Sequence, residues 1–327
     1  MSGPIDTPLG HGVEFDRIRA LAAAWGPRAR GLGDDCAFIE AGGERLALSV
    51  DLSVEGVHFR RDWLAPAEIG YRAAAAALSD LAAVAAEPLA LLLAVGLPAE
   101  EPETTLAALG DGVADAAADA GAAIVGGDLS RAAGIVIDCC VVGRAAAPVL
   151  RRGAKPGDVL VVTGALGGPL AALLEWRAGR EPPPAARERF ARPAARHGAA
   201  RFLAAHRAHA MIDVSDGLVG DLGHLLAASG VGAALAVERL PVLPAAAAVA
   251  ARAGEAAWRL AARSGEEYEL LAAVPPDAVE AVLAECPVPA TAIGAIEGEP
   301  GLRATEHGKP VALPGGFDHF GAGGGAR

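Results

Sequence analysis

Lysine is almost absent. Lys155 and Lys309 are the only two, so nearly all of the 28 basic side chains are arginine. Neither lysine sits in a phosphate-cradling loop: the single Gly-Lys pair, Gly308-Lys309, runs into Pro310, which excludes a Walker A motif. No Gly-x-Gly-x-x-Gly follows a strand, and neither His-Glu-x-x-His nor Gly-x-Ser-x-Gly occurs. Aromatic residues are 4% of the chain, too few for recognition of single-stranded nucleic acid by stacking. The four cysteines, Cys36, Cys139, Cys140 and Cys286, form no Cys-x-x-Cys pair, which excludes the usual zinc sites, and nothing in their spacing reads as a disulfide framework. Positive charge is short as well. With 40 acidic against 28 basic residues the net charge is -12, so binding nucleic acid through the bulk field is excluded. The most apolar run, Leu81 to Pro98, is broken by Glu87 and Pro88 before it reaches the roughly 18 residues of a membrane span. Met1 to Gly10 has no basic or apolar region of a signal peptide. A cytoplasmic protein is expected.

What is present is a large apolar fraction, 53%, which supports a substantial core. At 327 residues two domains are expected, with one large domain as the alternative. Helical spacing appears over Glu14–Trp25, from Pro66 to about Ala86, over Thr104–Ala120 and over Leu218–Ser229. Short β-rich runs lie at 45–50, 122–125, 135–142, 159–163, 232–237, 269–274 and 291–296, while 88–95 fits helix or strand equally. Helices and strands alternate, so the fold class is α/β (α+β) in two domains. The turn-rich stretch Arg151 to Asp158 marks the boundary, giving domains 1–150 and 151–327. The Pro- and Arg-rich stretch Gly179 to Pro193 reads as an exposed connection.

Aspartate collects at the ends of apolar segments. Asp34 and Asp35 sit in a glycine loop, Asp51 closes Ser-Val-Asp, Asp128 closes Ile-Val-Gly-Gly-Asp, and Asp213 and Asp216 flank Val-Ser before a helix. Asp80 lies in Ala-Ala-Leu-Ser-Asp-Leu-Ala-Ala, with no basic residue within a helical turn. A buried carboxylate is costly unless paired or metal-bound. Taken singly, each aspartate is a turn former or helix N-cap, Asp216 especially. Taken together they point to a hard cation held by oxygen ligands, magnesium rather than zinc. His58, close after Asp51, reads either as structural or as part of this site. The run Glu266, Glu267, Glu269 reads either as a solvated face or as a strand-end loop.

These motifs together resemble the thiamine-monophosphate kinases, of the superfamily that includes aminoimidazole ribonucleotide synthetase and selenophosphate synthetase. The resemblance rests on GLGDDCA (31–37), SVDLSVEGVHF (49–59), ALSDLAAVAAEP (77–88), GGDLSR (126–131), RRGAKPGD (151–158), IDVSDGLVGDLGHL (212–225), SGEEYELL (264–271) and GFDHF (316–320). It implies an N-terminal domain whose sheet pairs in a homodimer and which binds ATP and magnesium, with a C-terminal α/β domain completing the substrate site. It implies magnesium ligands at Asp35, Ser49, Asp51, Asp80, Asp128, Asp213 and Asp216, and nucleotide contacts at Gly127, Asp128, Arg151 and Ser215. Thiamine-phosphate contacts fall at His58, Glu266 and Phe317. The implied reaction is transfer of the ATP γ-phosphoryl group to thiamine monophosphate, with no residue assigned as general base. The alternatives are another ATP-dependent synthetase of the superfamily, a non-catalytic nucleotide or thiamine-phosphate binding protein, and a metal-dependent phosphohydrolase. The chain departs from the family pattern at Val50, where Thr is usual, at Val84-Ala85 for Met-Gly, at Glu267 for Asp, and at Leu129-Ser130 after the GGD motif.

Overall fold

The computed structural model describes residues 4–316 and 320. Its first half runs α1 (Val13–Trp25), β1 (Ala37–Ala41), β2 (Glu44–Val54), α2 (Pro66–Ala83), β3 (Glu87–Leu97), α3 (Glu103–Ala120), β4 (Ala123–Arg131) and β5 (Val136–Arg144). The second half runs β6 (Val159–Thr163), α4 (Gly168–Arg177), α5 (Pro184–Ala191), α6 (His197–Ala205), β7 (Ala210–Asp213), α7 (Leu218–Ser229), β8 (Gly232–Ala236), α8 (Pro244–Arg252), α9 (Ala257–Arg263), β9 (Leu270–Val274), α10 (Val279–Glu285), β10 (Ala290–Glu297), β11 (Gly301–Glu306) and β12 (Lys309–Pro310). Each half builds its own sheet. The first has strand order β1-β2-β5-β3-β4 and the second β12-β11-β8-β10-β6-β9-β7. The fold is thus mixed α and β, as the alternation of elements implies.

Strand alternation divides the first sheet into two faces. Ile137, Cys139 and Val141 of β5 are buried on the inner face, beneath α2. On the outer face Val50 and Leu52 of β2 are 62% and 47% exposed, and Leu92 of β3 is exposed with them. β4 is a parallel edge strand beside β3 and is exposed along its whole length. The ambiguous run 88–95 is strand β3. Its neighbours β4 and β5 supply the hydrogen bonds that periodicity could not reveal.

α2 is the organising helix. Pro66 occupies its first turn, where the missing N–H costs nothing, and the Glu68 carboxylate accepts a bond from the Ala65 N–H at 2.9 Å. Fourteen of its eighteen residues are buried, which its alanine run Ala73–Ala77 permits by allowing close approach on every side. The helix ends at Ala83, earlier than its composition suggests, and Ala85 turns the chain with φ 56°. α3 crosses α2 in direct backbone contact: a Cβ on Gly112 would lie 1.9 Å from the Ala67 carbonyl oxygen, and one on Gly70 2.0 Å from that of Leu109.

The stretch 179–193 is not merely an exposed connection. It forms α5, whose Ala186 and Phe190 are fully buried and whose Arg189 reaches the buried acidic loop described below. Arginines spaced along an amphipathic helix gave it the look of a solvated linker.

The tight crossing yields a test. Gly112→Ala forces two helix backbones apart, and the strain exceeds the roughly 1 kcal/mol gained in helix propensity. Urea denaturation should show a net loss of about 2 kcal/mol; an unchanged midpoint would contradict the crossing.

Candidate active site

Three carboxylates from distant parts of the chain meet between the sheets. Asp35 follows the glycine loop before β1, Asp80 lies in the last turn of α2, and Asp213 ends β7. One oxygen of each falls within 4.8 Å of the others. Hydroxyls fix two of them. Ser49 donates to Asp80 Oδ2 at 2.5 Å, and Ser79 donates to Asp213 Oδ2 at 2.5 Å. Arg151 donates to Asp35 Oδ1 at 2.6 Å, and its backbone N–H to Asp34 Oδ1 at 3.2 Å. Asp35 Oδ2 remains buried with no hydrogen-bond partner among the described residues.

Two like charges about 4 Å apart repel by roughly 4 kcal/mol at an effective dielectric of 20. The carboxylates therefore resist ionisation. Burial, then Asp213 and Asp35, raises the Asp80 pKa well above its ordinary value. Asp213 is raised to about 7, first by burial and then by Asp35. Asp51 is raised to about 6 by burial and then by Glu266. One arginine cannot neutralise this set. An orphaned oxygen on Asp35 beside all-oxygen neighbours fits a hard divalent cation.

A cavity of about 230 Å³ opens beside the cluster, lined by Asp51, His58, Asp80, Asp213, Ser215, Asp216, Glu266 and Tyr268 among others. Seven of the candidates named from sequence are thus gathered around one hollow, with Asp35, Ser49 and Arg151 in the hydrogen-bonded shell behind it. His58 Nδ1 accepts the Val54 N–H at 3.1 Å, so in the neutral ring Nε2 carries the proton. Gly127 and Asp128 stand apart. They lie on exposed β4, with Asp128 opposite Ala94 of β3, outside both the carboxylate group and the cavity lining. Phe317 lies outside the described residues.

The Glu266–Glu269 run is not a solvated face. Glu266, Glu267 and Glu269 are 3%, 0% and 0% exposed. Glu266 pairs with buried Arg72 of α2. Glu269 accepts from Arg189 at 2.7 Å and from Arg196 Nε at 2.8 Å, and Glu267 accepts the Gly167 N–H. Glu266 and Tyr268 have φ of 60° and 53°, left-handed values that side chains rarely adopt. The loop is held in this shape against Val214 and Ser215, whose carbonyls accept the N–H groups of Glu266, Glu267 and Tyr268.

Asp216 is not a helix N-cap. Gly217 takes that position, and Asp221 instead accepts the N–H groups of Ser215 and Asp216 at 3.1 Å each. Sequence reasoning missed Asp221, Ser79 and Arg72. A signal existed for Arg72: it is the one basic residue on an otherwise apolar helix and falls eight residues before Asp80, on the same face.

This two-sheet fold with carboxylates gathered between its halves is that of an AIR synthase related protein. The N-terminal domain of that family matches residues 33–145 and its C-terminal domain residues 155–307. The chain is 40% identical to the thiamine-monophosphate kinase of Mycobacterium tuberculosis over 249 residues, 74% of each chain. It is 37% identical to that of Salmonella typhimurium over 325 residues, 94% of this chain and 95% of the relative. The solved structure of AaThiL complexed with AMPPCP and TMP superposes with a TM-score of 0.85 at 31% identity, covering 94% of this chain and 97% of the other. The chain belongs to the thiamine-monophosphate kinases within the AIR synthase related family.

Raised carboxylate pKa values set a pH dependence. Asp51 and Asp213 bind protons more tightly folded than unfolded, so in metal-free protein their contribution favours folding below about pH 4 and is lost as pH rises towards 7. A cation that replaces those protons stabilises most at high pH. Excess Mg²⁺ should therefore raise the melting temperature more near pH 8 than near pH 5.5. An equal rise at both would argue against cation binding by these groups.

Proposed function

We propose that the protein transfers the γ-phosphoryl group of ATP to the phosphate of thiamine monophosphate, giving thiamine diphosphate and ADP. The observation that carries this is the buried Asp35–Asp80–Asp213 cluster beside a cavity, in a chain that superposes over nearly its whole length on a relative complexed with an ATP analogue and TMP.

The acceptor is itself a phosphate, whose second pKa is about 6 by analogy with phosphate monoesters. Near neutral pH it is already mostly deprotonated, which agrees with a site that offers no obvious general base. The obstacle is repulsion between two polyanions meeting in an acidic protein. Asp35, Ser49, Asp51, Asp80, Asp213 and Asp216 are the residues that would hold magnesium, which when bound supplies charge neutralisation and alignment of the phosphates. Arg151 keeps Asp35 in place and offers a guanidinium next to it. His58, with its proton on Nε2, offers a donor to the acceptor molecule. Glu266, locked to Arg72 and lifted by its left-handed backbone, offers a fixed carboxylate. Ser215, whose N–H is held by Asp221, would contact the nucleotide.

In this reading residues 1–150 carry ATP, magnesium and the dimer contact, and 151–327 complete the substrate site. Two copies pair through the outer face of the first sheet, where Val50, Leu52 and Leu92 expose apolar surface. Asp128 lies on that face, so its part in nucleotide and cation binding depends on the pairing. The protein acts in the cytoplasm; no helix among the described residues is long and apolar enough to cross a membrane.

Three measurements check the reading. Incubated with ATP, Mg²⁺ and thiamine monophosphate, the protein should form thiamine diphosphate and ADP in equal amounts on chromatography; ADP alone would mean hydrolysis. Asp51→Asn and Asp213→Asn should each lower turnover by at least ~10³-fold with the fold intact by circular dichroism, and near-normal turnover in either would refute cation-assisted transfer. Light scattering should give twice the 32.6 kDa chain mass, and a monomer would refute the pairing.

A further inference from the structure

A second cavity, of about 320 Å³, lies on the other side of α2, walled by Tyr71, Ala75, Leu78, Ala116, Asp119, Ala120, Ala194, Ala195 and His197. Nothing in the phosphoryl-transfer reading uses it. Its volume is at the lower end of the ~300–1,000 Å³ typical of small-molecule sites.

His197 is the feature that needs an explanation. The residue is 7% exposed, and among the described residues neither Nδ1 nor Nε2 has a hydrogen-bond partner. Buried polar atoms in folded proteins are nearly always paired, so two orphans on one ring mark a place where a partner belongs. Burial, with Arg201 nearby, lowers its pKa to about 4, so the ring is neutral and presents one N–H and one lone pair. α6 begins at His197, and no side chain caps its first turn. The other polar wall is acidic. Exposed Asp119 accepts the Tyr71 hydroxyl through Oδ2 at 2.9 Å, and Arg192 covers the Tyr71 ring at 3.9 Å. Ala75, Leu78 and Ala116 supply apolar lining.

We infer that this cavity is a binding site for a small planar heterocyclic amine. The amine N–H groups face the Asp119 carboxylate, the ring nitrogen edge faces His197, and the ring lies against Ala75, Leu78 and Ala116. An anion is disfavoured by Asp119, and a larger hydrophobe would leave His197 unpaired.

The position of the site gives it a route to the active centre. At 100° per residue, Tyr71, Ala75 and Leu78 fall on one side of α2. Arg72, Ala76 and Asp80 fall on the other, where Arg72 pairs with Glu266 and Ala76 and Asp80 line the acidic cavity. A ligand behind α2 therefore presses on the helix that carries Asp80 without entering the acidic cavity.

The probe is 2-aminopyrimidine, with binding to the full-length protein followed by saturation-transfer NMR and calorimetry. The expected result is a dissociation constant of about 1 mM, as for a seven-atom fragment. Affinity should fall at least ~10-fold in Asp119→Asn, because a charge-assisted hydrogen bond is lost. Binding should be abolished in His197→Phe, which removes both ring nitrogens, and should persist when AMPPCP and thiamine monophosphate are present. Absence of binding to the wild type at ten times that concentration would overturn the proposal. So would equal affinity in Asp119→Asn, or displacement by AMPPCP. Asp119 is on the surface, so its variant carries the test even if His197→Phe melts early.

Discussion

The mutual repulsion of three buried carboxylates governs this molecule. Asp35, Asp80 and Asp213 come from a loop, a helix and a strand far apart in the chain, and folding forces their oxygens within 4.8 Å. Such an arrangement is unfavourable by itself, since two ionised carboxylates about 4 Å apart repel by roughly 4 kcal/mol at an effective dielectric of 20. It persists because the surrounding packing is extensive and because short bonds from Ser49, Ser79 and Arg151 take up part of the charge. The stored repulsion leaves three carboxylate oxygens grouped as a cation would need them.

α2 transmits this constraint through the fold. One face of the helix packs on the first sheet and on α3 through backbone contacts at Gly70 and Gly112. Another delivers Ser79 to Asp213 of the second sheet, and Arg72 to Glu266 of the strained loop. The two halves of the chain are therefore registered by polar contacts to a single alanine-rich helix, and small movements of that helix alter the geometry of the carboxylates. α5 and the turn after it play the matching part on the far side. Arg189 and Arg196 neutralise Glu269, and Arg189 also reaches Glu267, so the left-handed backbone at Glu266 and Tyr268 has no freedom to relax. Breaking one partner of such a buried ionic group leaves the other charge uncompensated, which is costlier than never having buried it.

Much of the architecture was legible because it depends on local chemistry. Apolar periodicity marked four of the ten helices described, α1, α2, α3 and α7, together with most of the strands, and the turn residues at 151–158 fall between the last strand of the first sheet and the first of the second. The carboxylates announced themselves because an aspartate in an apolar context, as at Asp80, demands a partner that the neighbouring residues do not offer. What misled was composition used as a proxy for exposure. The stretches 179–193 and 266–269 are each hydrophilic locally, yet Arg189 of the first meets buried Glu267 and Glu269 of the second across some eighty residues of sequence. Asp216 looked like an N-cap until Gly217 and Asp221 were seen to share that work.

The chain by itself determined the alternation of helices and strands and the identity of the acidic residues, since these follow from side-chain chemistry and short-range spacing. Only the tertiary structure decided which carboxylates meet. Asp35, Asp80 and Asp213 converge, whereas Asp128, in an equally suggestive Gly-Gly-Asp motif, is carried by an edge strand to the outer face of the first sheet. The physical reason is that strand pairing and register, set by hydrogen bonds between distant segments, fix which face a side chain takes, and no local pattern encodes the partner.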